Sequence, residues 1–89
     1  MRVRVALYGA YVEVKVFTKE SCVQCEMTKR LMDKMGLEYT AIQADEAQID
    51  QLRDEGFRSF PVVKAEGAEW GGFRPDLIKE LAVKALTSG

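Results

Sequence analysis

The chain holds no histidine, only two cysteines and two prolines, and no excess of charge of either sign. Each absence removes a class of function. Structural zinc sites ordinarily draw four Cys or His ligands, so a closed site here would have to borrow carboxylates or a second chain. Haem attachment requires a histidine directly after the second cysteine of a CxxC pair, and Glu26 stands there. With 13 Lys and Arg against 14 Asp and Glu, there is no basic stripe or aromatic-interleaved cluster to hold nucleic acid. The stretch from Met1 to Tyr11 is basic, but its apolar part is too short and too interrupted for a signal peptide or membrane span, which implies a cytoplasmic protein. No repeat, linker or low-complexity segment divides the sequence, and 89 residues make one domain with room for one site.

What the chain does hold is Cys22-Val23-Gln24-Cys25, directly after an alternating apolar run and at the start of a helical pattern. Residues i and i+3 of a helix share a face with Cβ atoms about 5–6 Å apart, whereas a disulfide needs about 3.5–4.5 Å. A small adjustment of the first turn therefore closes the bond. The unsatisfied N–H groups and positive end of the helix dipole favour an anion and lower a thiol below its free pKa of about 8.5. Cys22, at the open end, is the expected nucleophile; Lys19 is close enough in sequence to add positive charge, but an exposed loop lysine is expected to be merely solvated. Cys25, one turn deeper, is expected to stay protonated until it resolves a mixed disulfide formed on Cys22. A permanent staple across so short a loop would constrain the unfolded chain little, and cytosolic thiols are kept reduced, so the pair reads as catalytic.

Hydrophobic periodicity supplies the frame. Val12 to Phe17 alternates as a strand, and from Cys22 to about Met35 the apolar positions Val23, Met27, Leu31 and Met35 recur at helical spacing, with the methionines expected as core filler and Gly36 as the stop. Glu38 to Gln43 reads as a second strand. Glu46 to Glu55 reads as a second helix with Ile49 and Leu52 inward, ended by Gly56. Pro61 to Ala65 is a third strand, Glu66-Gly67-Ala68 a turn leading into a short strand that reaches Trp70, and Gly71-Gly72 a further turn. Pro75 opens a last helix whose apolar set is Leu77, Ile78, Leu81, Ala82, Ala85 and Leu86. The first β-α-β step demands a right-handed parallel crossover and the last two strands must be antiparallel, which gives an α/β fold with a mixed four-stranded sheet flanked by three helices in βαβαββα order. Residues 1–11 form an N-terminal extension to this domain of residues 12–89, with strand character expected over Arg2 to Tyr8.

Assembled in this way, the CxxC at the head of the first helix and the proline opening the third strand resemble the thioredoxin fold, and the compact element order resembles its glutaredoxin branch. Within that branch, Thr18-Lys19 before Cys22-Val23-Gln24-Cys25, then Phe60-Pro61-Val62-Val63, then Trp70-Gly71-Gly72-Phe73-Arg74-Pro75-Asp76 are similar to an NrdH-type redoxin. The resemblance covers about residues 12–86. It implies a monomeric dithiol–disulfide oxidoreductase that donates electrons to class Ib ribonucleotide reductase and is re-reduced by thioredoxin reductase. NADPH then acts only through that reductase, and no cofactor or metal is bound. The resemblance also makes Pro61 a cis-proline beside the active site, aiming the backbone of residue 60 at an extended partner segment. It places Val23, Gln24, Phe60, Pro61, Trp70, Gly72 and Phe73 as the partner-binding set around Cys22 and Cys25, although Trp70 has an equal claim to the core. Arg74 and Asp76 are expected to tie the loop to the last helix. The sequence departs from the family at Gly71, where serine is common and where glycine is expected to loosen the loop, and in its longer N-terminal extension.

Two other functions compete. A glutathione-dependent glutaredoxin or general protein disulfide reductase shares the chemistry, but glutathione binders usually carry charged or threonine side chains near the proline and an acidic pair after a diglycine. Here Phe60 precedes Pro61, and Phe73-Arg74-Pro75 follows Gly71-Gly72. A metal or iron–sulfur module could share Cys22 between two chains, but the second cysteine suits disulfide exchange better.

Overall fold

A computed structural model describes residues 13–87. The elements follow the expected order: β1 (Val14–Thr18), α1 (Val23–Lys34), β2 (Thr40–Gln43), α2 (Glu46–Asp54), β3 (Val62–Ala65), β4 (Ala68–Gly71) and α3 (Pro75–Thr87). The sheet order is β2-β1-β3-β4. β1 runs parallel to β2, in register from Lys15↔Thr40 to Thr18↔Gln43, and antiparallel to β3, which in turn pairs antiparallel with β4 across the two-residue turn Glu66-Gly67. The N-terminal extension, the strand character expected over Arg2 to Tyr8, and Val12 lie outside the described residues, as does the side chain of Leu86.

Alternation along β1 buries Val14, Val16 and Thr18 and leaves Lys15 exposed. On the buried face these valines meet Val63 of β3, Trp70 of β4, Met32 of α1, Leu37, and Ile78 and Leu81 of α3, so α1 and α3 cover one side of the sheet together. Lys64 projects from the opposite face, where its ammonium lies 2.6 Å from Glu55 and over the rings of Phe17 (6.0 Å) and Phe57 (5.7 Å). That contact fixes the C-terminal end of α2 on the second face.

Local signals set the helix ends. Asp45 caps α2 by accepting from the Gln48 N–H at 2.8 Å, and Gln48 Oε1 accepts from the Asp45 N–H at 3.0 Å, a reciprocal capping box. After α1 the Leu37 N–H reaches the Met32 carbonyl (2.9 Å) and the Gly36 N–H the Asp33 carbonyl (3.1 Å), the Schellman closure that a left-handed residue allows, and Gly36 has φ +71°. The second strand starts at Thr40 rather than Glu38 because its ladder on β1 begins only at Lys15. β3 starts one residue after Pro61, whose ring nitrogen has no proton for a ladder.

One expectation fails on α1. Its buried face is Cys25, Thr28 and Met32, whereas Val23 is 73% exposed and Met27 41%. A spacing of four drifts around a helix by about 40° per step, so the series from Val23 to Met35 swings through about 120°. It starts in solvent and ends half-buried. The core methionine of this helix is Met32. Among the described residues, no helix is long and apolar enough to cross a membrane.

Candidate functional site

Cys22 is the N-cap of α1, in extended conformation (φ −111°, ψ 103°), and the preceding Ser21 has φ +53°, so the chain turns sharply out of the loop after β1 and into the helix. At an N-cap the side chain normally accepts from a first-turn N–H, and here the acceptor is sulfur: the Cys25 N–H donates to Cys22 Sγ at 3.2 Å. The two cysteines are joined as a disulfide with Cα atoms 5.2 Å apart, inside the usual range of about 4.4–6.8 Å. Their exposures differ. Cys22 is half-buried and Cys25 is 1% exposed, because position 25 lies on the stripe that faces the sheet.

The residues between the cysteines point two ways. Val23 stands in solvent, with Met27 one turn further along the same face. Gln24 reaches across to the loop after β4, where its Oε1 accepts from the Phe73 N–H at 2.9 Å. Gly72, just before, has φ +87°, and a Cβ there would lie 3.3 Å from Gln24 Oε1 and 3.5 Å from Ser59 Cβ. The Gly72 N–H donates to the Pro61 carbonyl at 2.8 Å. Two hydrogen bonds thus link the CxxC turn to the Gly72-Phe73 loop, and that loop to Pro61.

The Phe60–Pro61 peptide is cis, as the family resemblance implies. Pro61 is buried and Phe60 half-buried, with the Lys19 ammonium 5.3 Å from the centre of the Phe60 ring. Lys19 therefore sits on an aromatic face. Arg74 forks onto Asp76 (3.3 and 3.1 Å), fastening the loop to the first turn of α3; this hydrogen bond holds the Asp76 carboxyl below its ordinary value. Beside Cys25, Glu26 is paired with Lys29 at 2.8 Å, and the Lys29 hydrogen bond likewise lowers its carboxyl pKa.

Two expectations change. Trp70 is 6% exposed and belongs to the core cluster, so its side chain offers a partner almost no surface. Gly71 does not loosen the loop: a Cβ there would lie 2.8 Å from the Ser59 carbonyl oxygen, so glycine is what lets that backbone approach β4. Ser59 is the residue that sequence reasoning missed, and Met27, expected in the core, stands at the surface. Met27 is legible only once the buried stripe of α1 is known, and Ser59 acts through its backbone, which leaves no trace in residue type.

The glutaredoxin family model matches residues 14–70, from β1 into β4. The chain is 43% identical to the glutaredoxin-like protein NrdH of Salmonella typhimurium over 70 residues, covering 76% of this chain and 86% of the relative. It is 31% identical to NrdH of Lactococcus lactis over 71 residues, covering 78% and 99%. The solved structure of NrdH-redoxin from Escherichia coli, described as a glutaredoxin-like protein with a thioredoxin-like activity profile, superimposes with a TM-score of 0.73 at 41% identity, covering 78% of this chain and 93% of that one. A half-buried cysteine capping a helix, a buried cysteine bonded to it, and these likenesses lead to one assignment: the chain belongs to the glutaredoxin-like NrdH family of thiol–disulfide oxidoreductases.

Proposed function

We propose that this chain is a cytoplasmic dithiol reductase that passes electron pairs to class Ib ribonucleotide reductase and is re-reduced by thioredoxin reductase with electrons from NADPH. The observation that carries the reading is the asymmetry of the two cysteines: Cys22 is half-buried and its Sγ accepts the Cys25 N–H at 3.2 Å, whereas Cys25 is sealed at 1% exposure. On reduction, the same N–H and the helix terminus favour a thiolate at Cys22. That thiolate attacks one sulfur of the partner disulfide, and a Cys22–partner bond forms as the partner's own S–S bond breaks. The displaced partner sulfur leaves as a thiolate and takes up a proton. Cys25 then gives up its proton and attacks Cys22 Sγ, which closes the Cys22–Cys25 bond and releases the second partner thiol. Two electrons have moved to the partner. The reductase runs the sequence backwards, so NADPH is a distant donor and the chain carries its electrons in the disulfide alone.

In this reading the partner docks as an extended segment along the backbone of Phe60 and against Val23, Met27 and Phe73, which brings its sulfur in line with Cys22. Both sulfurs and every linking residue belong to one chain, so a monomer suffices. The thioredoxin-like activity profile given for the Escherichia coli protein supports thioredoxin reductase over glutathione as the source of electrons. The test mixes the chain with NADPH, thioredoxin reductase and a disulfide substrate and follows NADPH oxidation. Turnover only with glutathione and glutathione reductase would reject the proposal. Cys22→Ser is expected to abolish exchange and Cys25→Ser to trap a mixed disulfide with the partner; the reverse pattern would exchange the two roles.

A further inference from the structure

We infer that Gln24 is a positioning residue for protein substrates, holding the Gly72-Phe73 loop as one wall of the site beside Cys22. This rests on the reading that Cys22 exchanges with a disulfide in a partner protein, and adds to it the residue that shapes the docking edge. Three observations converge. Gln24 lies between the cysteines yet its amide is directed to residue 73, where Oε1 accepts from the Phe73 N–H at 2.9 Å. Gly72 has φ +87° and leaves only 3.3 Å between an added Cβ and that same oxygen, so the glycine makes room for the glutamine. The Gly72 N–H is itself tied to the Pro61 carbonyl at 2.8 Å. The loop is therefore held between Gln24 on one side and Pro61 on the other.

The chemistry at sulfur does not use the glutamine. A small disulfide needs only the Cys22 thiolate, whereas a protein segment must also meet Phe73 and the neighbouring backbone in a fixed place. Holding that wall in its bound position lowers the ordering cost of docking, so the bond acts on KM for a protein disulfide.

The experiment compares the wild-type chain with Gln24→Leu, which keeps the bulk and loses the acceptor, and Gln24→Glu, which keeps an oxygen acceptor. Each variant is assayed with insulin and with hydroxyethyl disulfide under recycling by dithiothreitol, so the outcome is independent of which reductase serves the protein. Dividing the insulin efficiency by that for hydroxyethyl disulfide cancels any change in thiolate reactivity, including the effect of the new charge in Gln24→Glu. Gln24→Leu is expected to lower this quotient by about two- to twelvefold, the range one neutral hydrogen bond supports, through a raised KM for insulin. Gln24→Glu is expected to stay within about twofold of wild type, since its acceptor survives. A quotient unchanged in Gln24→Leu, or lowered equally in both variants, overturns the assignment. Amide hydrogen exchange at Phe73 reads the bond without any activity: it is expected to be faster in Gln24→Leu than in wild type or Gln24→Glu, and equal rates in all three also overturn it. Loss of thioredoxin reductase turnover in the wild-type chain, with these results intact, would count against the proposed electron route and leave the role of Gln24 standing.

Discussion

Replacing Gly72 by alanine, with Gly36→Ala as the reference, separates two contributions that one glycine supplies. Both positions have positive φ, +87° at Gly72 and +71° at Gly36, so either alanine must adopt a conformation that costs an L-residue about 1–2 kcal/mol. Around Gly36 an added Cβ meets nothing within 4 Å, so Gly36→Ala should lose that amount and no more. At Gly72 the Cβ would sit 3.3 Å from Gln24 Oε1 and 3.5 Å from Ser59 Cβ. The serine contact is ordinary, but the amide oxygen must withdraw by a few tenths of an ångström, and it cannot do so without stretching its bond to the Phe73 N–H. Weakening one neutral hydrogen bond adds about 0.5–1 kcal/mol, bringing Gly72→Ala to about 1.5–3 kcal/mol. Thermal unfolding of the oxidised chain resolves the difference, because 1 kcal/mol shifts the midpoint of a domain this size by about 4–8 °C. Equal midpoints for the two variants, with amide exchange at Phe73 unchanged in Gly72→Ala, would refute the claim that the glutamine and the glycine are fitted to one another.

Met32→Ala, at a side chain with no exposure in the main core cluster, should destabilise by about 2–5 kcal/mol, whereas Met27→Ala should fall within about 0.5 kcal/mol; urea midpoints check both, and comparable losses would show that the buried stripe of α1 is misassigned. The Thr28 hydroxyl is fully buried and finds no hydrogen-bond partner among the described residues, so Thr28→Val, which keeps the shape, should raise stability by up to about 1–3 kcal/mol; a lower unfolding midpoint would reveal a partner for the hydroxyl. The Lys64 hydrogen bond lowers the Glu55 carboxyl pKa in the folded chain, so the stability it contributes is present above the unfolded-state value and is lost as pH falls through the folded one. Carbon NMR of the Glu55 carboxyl should show this midpoint below that of free glutamate and moving up in Lys64→Met, and an unmoved midpoint would remove Lys64 as the cause.

Much of the fold was legible because neighbouring residues encode it. Alternation marked β1, the helical spacing of Ile49 and Leu52 marked α2, and Gly36, Gly56 and Pro75 punctuated the helices, so element order and strand directions followed from connection lengths. The cysteine pair was legible for the same reason: motif and helix start are adjacent. What could not be read was set by residues far apart. Gln24 and Phe73 are separated by 49 positions, and no local pattern tells a glutamine to spend its oxygen on that amide. Likewise Gly71 reads as a flexible turn until the Ser59 carbonyl is seen against it.

The misread stripe of α1 connects fold to function. Val23, Met27, Leu31 and Met35 form as good an apolar series as the one that is buried, and a helix needs only one such face to dock on a sheet. Cys25, Thr28 and Met32 supply that face, although Thr28 is a poor hydrophobe, with Leu31 and Met35 packed at its edge. With Cys25 turned inward, the N-cap geometry leaves Cys22 at the rim, and Val23 and Met27 are turned outward beside it, while Leu31 and Met35 pack against the core. The exposed valine and methionine break the rule that apolar residues go inside at the place where the proposed reaction needs a surface for another protein to cover. Two apolar patches on one short helix then differ in role: Cys25, Thr28 and Met32 hold α1 to the sheet, and in the proposed reaction Val23 and Met27 are the surface that a partner covers while its disulfide is exchanged at Cys22.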